Sequence, residues 1–404
     1  MVNRPRAPLF FARFEAARAK LRTVAVTGTN GKTSTTSFVG AVIGQRGPAA
    51  TVTTLGAWVD GERVAGKGTQ EFLGTVEGAV DAGVEILAVE MTSKALLGGL
   101  ASRWPPEVAV FTNLTHDHLD LHETAEAYLA AKAQLFLSLP KGGTAVLNAD
   151  DPACELLAEV VPSHARVVWY GSNPCDLQLV ATEPSGAGQV LTLAPSAEFR
   201  GRVPVSIKLQ VGGAFQAHNA TAAALACAAL GLDAEAIHDG LGAIGKIAGR
   251  FERVHNDPCV IVDFAHTPDA LRHVLASART LLRSESGRVH CVFGCGGERD
   301  RSKRAPMGAL VDELADVVWL TSDNPRREDP ANIAADVLEG SSGRANWHQE
   351  LERCKAIESA LSDATPDDVI VIAGKGHEAT QEISGAFHPF ADTDEVRRYF
   401  RGEA

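Results

Sequence analysis

Residues 22–34 read RTVAVTGTNGKTS, and this run constrains the fold more than any other stretch of the chain. RTVAVTG (22–28) is short and rich in β-branched residues, as a strand is, and it breaks at a Gly/Asn turn before a polar helix start at Lys32. A strand that turns on glycine and re-enters a helix presents backbone N–H groups to a phosphate, and the helix N-terminus adds positive potential. Gly28, Thr29, Asn30, Gly31, Lys32, Thr33 and Ser34 are therefore the candidate phosphate-binding residues. Lys32 is spaced to reach the β- and γ-phosphates of ATP, and the Thr33 hydroxyl to help hold Mg2+. A strict Walker A loop has Gly where this chain has Val26, so a plain Gly/Asn turn entering a helix is the competing reading.

The same alternation continues downstream. VEILAVEM (84–91), EVAVFTNL (107–114) and GTAVLNA (143–149) read as strands, and AEAYLAAKAQLFLSL (125–139) has helical spacing. Strands alternating with helices predict βαβ units and a parallel, doubly wound sheet. From about 165 to 212, short alternating runs with Gly/Pro/Ser breaks predict a small β-rich insertion or subdomain, followed by an Ala-rich helix pair over 217–247. A new β/α series then runs through CVIVDFAH (259–266), RVHCVFG (288–294), ADVVWLTS (315–322) and DDVIVIAG (367–374). The expected class is α/β: a P-loop mononucleotide-binding domain with a parallel sheet and a small β subdomain, then a Rossmann-like C-terminal domain. The expected divisions are a short N-terminal extension (1–21), a central ATP-binding domain (22–247) and a C-terminal domain (248–404).

Composition narrows the partners. A formal charge of -12 argues against nucleic acid and anionic membrane surfaces, whose binders are usually basic. No apolar run reaches the roughly 20 residues of a membrane span, and the first residues lack the apolar stretch of a signal peptide. The 7 cysteines include no Cys-x-x-Cys pair, which fits reduced thiols in the cytoplasm.

TGTNGKTST resembles the ATP loop of the Mur ligase family, ATP-dependent enzymes that build the peptidoglycan stem peptide. The resemblance covers about 22–400 and rests on motifs in order: AVEMTSKAL around Glu90, NLTHDHLDLH (113–122), AYLAAKAQLF (127–136), GRFERV (249–254), DFAHTPDAL (263–271), FGCGGERDRSKR (293–304), SDNPRRED (322–329) and AGKGHE (373–378). The last five are most like the MurE branch. The resemblance implies an ADP-forming carboxylate–amine ligase that makes an acyl phosphate on an acceptor carboxylate, which an amine then attacks. Two anions must meet, so Lys32 and Mg2+ are needed to neutralise them. It implies Thr33, Glu90, His118 and Lys132 as metal-site residues, with Lys132 carbamylated by CO2; taken alone, Lys132 reads as an amphipathic lysine whose amine reaches solvent. It also implies Asn219, Arg250, Asp263 and His266 as nucleotide contacts. For Asp263 and His266 an ordinary cap or turn role is equally open from the residues themselves, and Gln216 stands where the family often has Asn.

For the incoming amino acid, the resemblance points to Asp323, Asn324, Arg326, Arg353, Gly374 and Glu378. The Arg326 fork would grip the distal carboxylate of a diaminopimelate-like molecule bidentately and Glu378 would pair with its second ammonium group. Departures concern the acceptor. The family's Thr-Thr-Pro reads Lys67-Gly68-Thr69-Gln70, its Ser-Ser-His-Ala reads Thr92-Ser93-Lys94-Ala95, and its following Arg is Leu100, with Arg103 nearby. Residues 1–21 are too few for the family's uridine-nucleotide-binding domain. The expected partners are a small-molecule amino acid and a carboxylate acceptor, with a partner protein as one source of acceptor binding. A folylpolyglutamate-type ligase, a catalytically silent Mur-like binding protein and a P-loop kinase are the alternatives. DNPR and GKGHE disfavour the first and third, and the presence of Lys32, Glu90, His118 and Lys132 disfavours the second.

Overall fold

A computed structural model describes residues 7–115, 117, 122 and 124–402. The chain forms two compact units. Of the described residues, the first takes in those up to Thr115 with Thr124–Gln210 and Phe215–Gly245; the second takes in 246–402 with Val211–Ala214, Asp117 and His122.

The first unit opens with helix α1 (Ala7–Lys20) and is built on one mixed sheet. Its strands are β1 (Arg22–Thr27), β2 (Ala50–Thr53), β3 (Gly56–Val59), β4 (Glu62–Arg63), β5 (Ile86–Glu90), β6 (Val108–Phe111), β7 (Thr144–Asn148), β8 (Arg166–Gly171), β9 (Leu177–Ser185), β10 (Gly188–Pro195) and β11 (Ser206–Leu209). They lie in the order β11-β10-β9-β8-β7-β6-β1-β5-β2-β3-β4. β1 pairs in parallel with β5 on one side and β6 on the other. Both faces of these strands are covered, so β5 and β6 are apolar and buried end to end apart from Glu90, the terminal residue of β5, itself buried. The β-rich stretch expected as a small insertion or subdomain is present and continues this sheet. β8 adds in parallel to β7, β9 to β8, and only then does the chain turn back antiparallel through β10 and β11.

β1 and β5 lie on one side of the sheet's reversal and β6 on the other, so the sheet changes winding direction beside β1. That crevice, at the carboxyl ends of the strands, is where open α/β sheets bind ligands. Behind it, Trp104 fills the core, edge-on to Phe14 and Phe72 at 5.0 and 5.4 Å, with its indole N–H donating to the Thr23 hydroxyl at 2.9 Å.

The second unit has the strands β12 (Glu252–Asn256), β13 (Cys259–Asp263), β14 (Val289–Phe293), β15 (Val317–Leu320), β16 (Asn346–Gln349) and β17 (Val369–Ala373), in the order β12-β13-β17-β14-β15-β16. All but β12 run parallel. A separate hairpin, β18 (Thr380–Ile383) with β19 (Ala386–Pro389), follows. Among the described residues no helix is long and apolar enough to cross a membrane.

Candidate active site

β1 ends at Thr27, and the next helix, α2 (Lys32–Ile43), starts immediately after Gly31, whose φ of 83° lies in the left-handed region. A side chain at Gly31 would be strained and would meet Asn219, whose Oδ1 lies 2.2 Å from the Cβ position. The loop is laced to the end of β6: Thr29 N donates to Asn113 O at 2.8 Å, Asn30 N to Asn113 Oδ1 at 2.8 Å, and the Thr112 hydroxyl to Asn30 O at 2.6 Å. Lys32 Nζ donates to Thr29 O at 2.7 Å, so its ammonium sits over the loop's own backbone. Thr33 and Ser34 open the first buried turn of α2. Asn219 stands on the helix Ala214–Leu230 and donates to Gln216 Oε1 at 3.0 Å, which ties the Gln substituted into this motif to the residue that abuts the loop.

Glu90, at the end of β5, closes the far side of this loop. Its Oε2 accepts from the Thr33 hydroxyl at 2.9 Å, from Thr54 N at 3.0 Å and from the Thr54 hydroxyl at 3.3 Å. Thr54, just past β2, is absent from the sequence expectations; its only signal is its position at the end of a strand that pairs with β5. Lys132, on the helix Ala125–Leu137, is 1% exposed. Its Nζ donates to Gly28 O and lies 4.2 Å over the Tyr128 ring. Its amine points into the loop rather than to solvent, contrary to the amphipathic reading. His118 lies outside the described residues. Among the described residues no three His, Cys, Asp or Glu gather as a metal site. A hard-oxygen corner of two threonines and one carboxylate suits Mg2+, which is usually held by one or two carboxylates together with phosphate oxygens and water.

The departures from the expected acceptor motif are structural in part. Thr92 caps the helix Ser93–Leu97 by accepting from Ala95 N at 3.3 Å, and Arg103 donates to the carbonyls of Gly98 and Gly99.

In the second unit the candidates again sit at strand ends. Asp263 ends β13 and accepts from Phe251 N at 2.6 Å. Burial pushes its carboxyl up to about 6, against the pull of Arg250. The Arg250 guanidinium lies 4.6 Å over the Phe264 ring. His266 Nδ1 is 2.7 Å from Phe264 O, and its Nε2 is 3.7 Å from Asp117. The cap of the following helix is Thr267, so neither Asp263 nor His266 caps it, while both make local contacts of the turn kind, Asp263 with Ala265 N and His266 with Phe264 O.

Asp323, Asn324 and Arg326 follow β15, Arg353 follows β16, and Gly374 and Glu378 follow β17. Gly374 has φ 110°, and a Cβ there would lie 2.5 Å from Asp323 Oδ2, so only glycine admits that carboxylate. The Asn324 amide is fully used. Its Nδ2 donates to Glu378 Oε2 at 2.7 Å and Asp323 Oδ1 at 3.2 Å, and its Oδ1 accepts from Glu382 N at 2.9 Å and Lys375 Nζ at 3.3 Å. Lys375 was not singled out from the sequence, yet it is buried and also donates to Glu378 Oε2 at 3.0 Å and Thr380 O at 2.7 Å. Arg353 is committed to its own unit. It makes a two-pronged pair with Asp392 at 2.7 and 2.8 Å and donates to the carbonyls of Ala373 and Ser322. Both members of the pair are 0% exposed.

Breaking that pair leaves a buried charge without its partner. Arg353→Ala is therefore expected to lower stability by about 3–5 kcal/mol, read as a shifted midpoint in urea unfolding.

Similarity to known proteins agrees with this architecture. Residues 26–227 match the Mur ligase middle domain and residues 249–376 the Mur ligase, glutamate ligase domain. The UDP-N-acetylmuramoyl-L-alanyl-D-glutamate--2,6-diaminopimelate ligase of Gloeobacter violaceus is 39% identical over 402 residues, covering 97% of this chain and 79% of that protein. A solved structure of a ligase with the same name is 34% identical with a TM-score of 0.64, covering 95% of this chain and 79% of that one. Mycobacterium tuberculosis folylpolyglutamate synthase complexed with ADP shares the fold at 22% identity and a TM-score of 0.72, over 91% of each chain. The chain belongs to the Mur ligase family of ATP-dependent, ADP-forming acid–amino-acid ligases.

Proposed function

We propose that this ligase joins a diaminopimelate-like amino acid to the carboxylate of a muramoyl-dipeptide-type acceptor, the substrates in its relatives' names. The carboxylate oxygen attacks the γ-phosphorus of ATP, releasing ADP and leaving an acyl phosphate. The amine then attacks the acyl carbon, phosphate leaves, and an amide bond remains. The phosphate loop and Lys32 hold the transferring phosphoryl group and offset charge as two anions approach. Thr33, Glu90, His118 and carbamylated Lys132 would hold Mg2+, which supplies further positive charge beside the phosphates. Asn219, Arg250, Asp263 and His266 serve the nucleotide. In this reading 22–247 is the ATP-binding domain and 248–404 carries the amino-acid pocket.

The observation that carries the amino-acid assignment is the grouping around Asn324. Arg326 offers a cation after β15 and Glu378 an anion after β17, on the same edge of the sheet, and Asn324 bonds Glu378 directly at 2.7 Å. A distal centre bearing both a carboxylate and an ammonium group matches that pair; a side chain ending in an amine alone matches only half of it. The test is a matrix of acceptors and amino acids with phosphate release as readout. UDP-N-acetylmuramoyl-L-alanyl-D-glutamate with diaminopimelate should give the largest kcat/KM. Release that needs no amino acid, or that favours glutamate, overturns the reading.

Lys32→Ala should lower ligation on the order of 10²-fold or more while leaving the melting temperature close to wild type. Full activity in the folded variant removes the phosphate-loop role.

Lys132 should carry a CO2 adduct in the active enzyme. Its amine is out of solvent, and a carbamate nitrogen retains one N–H to donate to Gly28 O. Carbon-13 bicarbonate should give a protein-bound carbamate signal that Lys132→Ala abolishes; an unmodified amine in the active enzyme contradicts the second-metal role.

Arg326→Ala leaves the distal carboxylate unpaired and should cost roughly 2–5 kcal/mol in transition-state binding of diaminopimelate. Lysine, which lacks that carboxylate, should lose far less. An equal loss in the two kcat/KM values means the pocket reads another feature.

A further inference from the structure

Arg326 has an unusual backbone and an unusual support. Its φ of 54° is left-handed, a region that a long side chain seldom occupies unless its surroundings impose it. The imposing element is β18. Arg326 N donates to Glu382 O at 3.0 Å, Ser384 N donates to Arg326 O at 2.5 Å, and the two segments form an isolated parallel bridge through Ile383. Gln381 Nε2 donates to Asp323 O at 2.7 Å, and Glu382 N to Asn324 Oδ1 at 2.9 Å. The hairpin strand is thus a template along which the whole 323–326 segment is laid.

The side chain of Glu382 extends this control to the guanidinium. Its Oε2 lies 3.2 Å from Arg326 Nε, with the two side chains 24% and 18% exposed. Arg326 Nη1 donates to Gly297 O at 2.7 Å. With the fork pinned on these two nitrogens, Nη2 is the one that has no partner among the described residues. A guanidinium fixed on two sides cannot rotate away, and it offers its remaining hydrogens along a set direction.

We propose that Glu382 is the positioning residue that aims Arg326, so that discrimination for an amino acid with a distal carboxylate depends on the hairpin as well as on the arginine. This rests on the role given to Arg326 above. Glu382 touches no substrate; it acts by removing the freedom of the group that does, and preorganisation of that kind appears in affinity for the matched ligand.

The test compares R326A, E382A and E382Q in the purified full chain, measuring kcat, KM for diaminopimelate and KM for ATP. Lysine serves as the probe without a distal carboxylate, as substrate or competitive inhibitor. E382A should raise KM for diaminopimelate about fivefold or more, the scale of a lost, partly buried ion pair. KM for ATP and the lysine constant should stay within about threefold. E382Q, which keeps the shape of the side chain but not the charge that pairs with the guanidinium, should lose discrimination as E382A does while keeping the wild-type melting temperature, which a purely structural role does not predict. If E382A lowers the melting temperature, the ratio of the diaminopimelate and lysine constants below that temperature carries the test. Wild-type discrimination in E382A, with discrimination lost in R326A, overturns the positioning role and leaves the Arg326 reading standing. Wild-type discrimination in R326A overturns both.

Discussion

Parallel strands all end on the same edge of their sheet, and a chain that winds outward in both directions from a central strand must leave a crevice at that edge. In the first unit β1 is that strand. Its exit loop lies between the end of β5, which supplies Glu90, and the end of β6, which supplies Thr112 and Asn113. The end of β6 bonds the loop's backbone, and Glu90 at the end of β5 holds the Thr33 hydroxyl just beyond it. In the second unit the same edge supplies Asp263, Asp323 and Gly374 from three parallel strands.

The charges at these edges are arranged for different tasks. At the phosphate loop, two lysine ammoniums lie on the loop's own carbonyls and hard oxygens close its far side, where the Glu90 oxygen that binds Thr33 also binds Thr54. An anionic phosphate chain and a divalent cation are the complement of that set. At the second edge one cluster is already paired within itself: Asn324 spends all its hydrogen bonds within the protein, and Lys375 and Glu378 share an ion pair. Such a satisfied cluster is rigid, and rigidity suits the discriminating role proposed for the neighbouring Arg326.

Much of this was legible in the sequence, for a local reason. The strand, turn and helix of residues 22–34 carry their signals within adjacent positions, and β5, β6, β7, β13, β14, β15 and β17 fall within the apolar runs that predicted them. What was not legible is non-local. Alternating runs over 165–212 mark strands but not their neighbours, so the pairing of β8 with β7, which merges them into the main sheet, had no signal. Lys132 in an Ala-rich helix reads as solvent-reaching, and only the packing of that helix against the loop buries its amine. Thr54, Lys375 and Glu382 become significant through partners that stand 36, 51 and 58 residues away in the chain. The Arg353–Asp392 pair is similar: the sequence offers a charged residue near a helix start, and the fold turns it into a buried brace.

The account's central claim is that the acceptor carboxylate is activated by phosphoryl transfer and then captured by an amine. An acceptor with oxygen-18 in the reacting carboxylate tests this in one turnover mixture with ATP and diaminopimelate, the released phosphate being analysed by mass spectrometry. The account predicts one oxygen-18 atom in each phosphate, in amounts equal to the amide formed, because the carboxylate oxygen that attacks the γ-phosphorus leaves with it. Amide formed with phosphate free of the label, the expelled oxygen-18 appearing in AMP or in water instead, would contradict it.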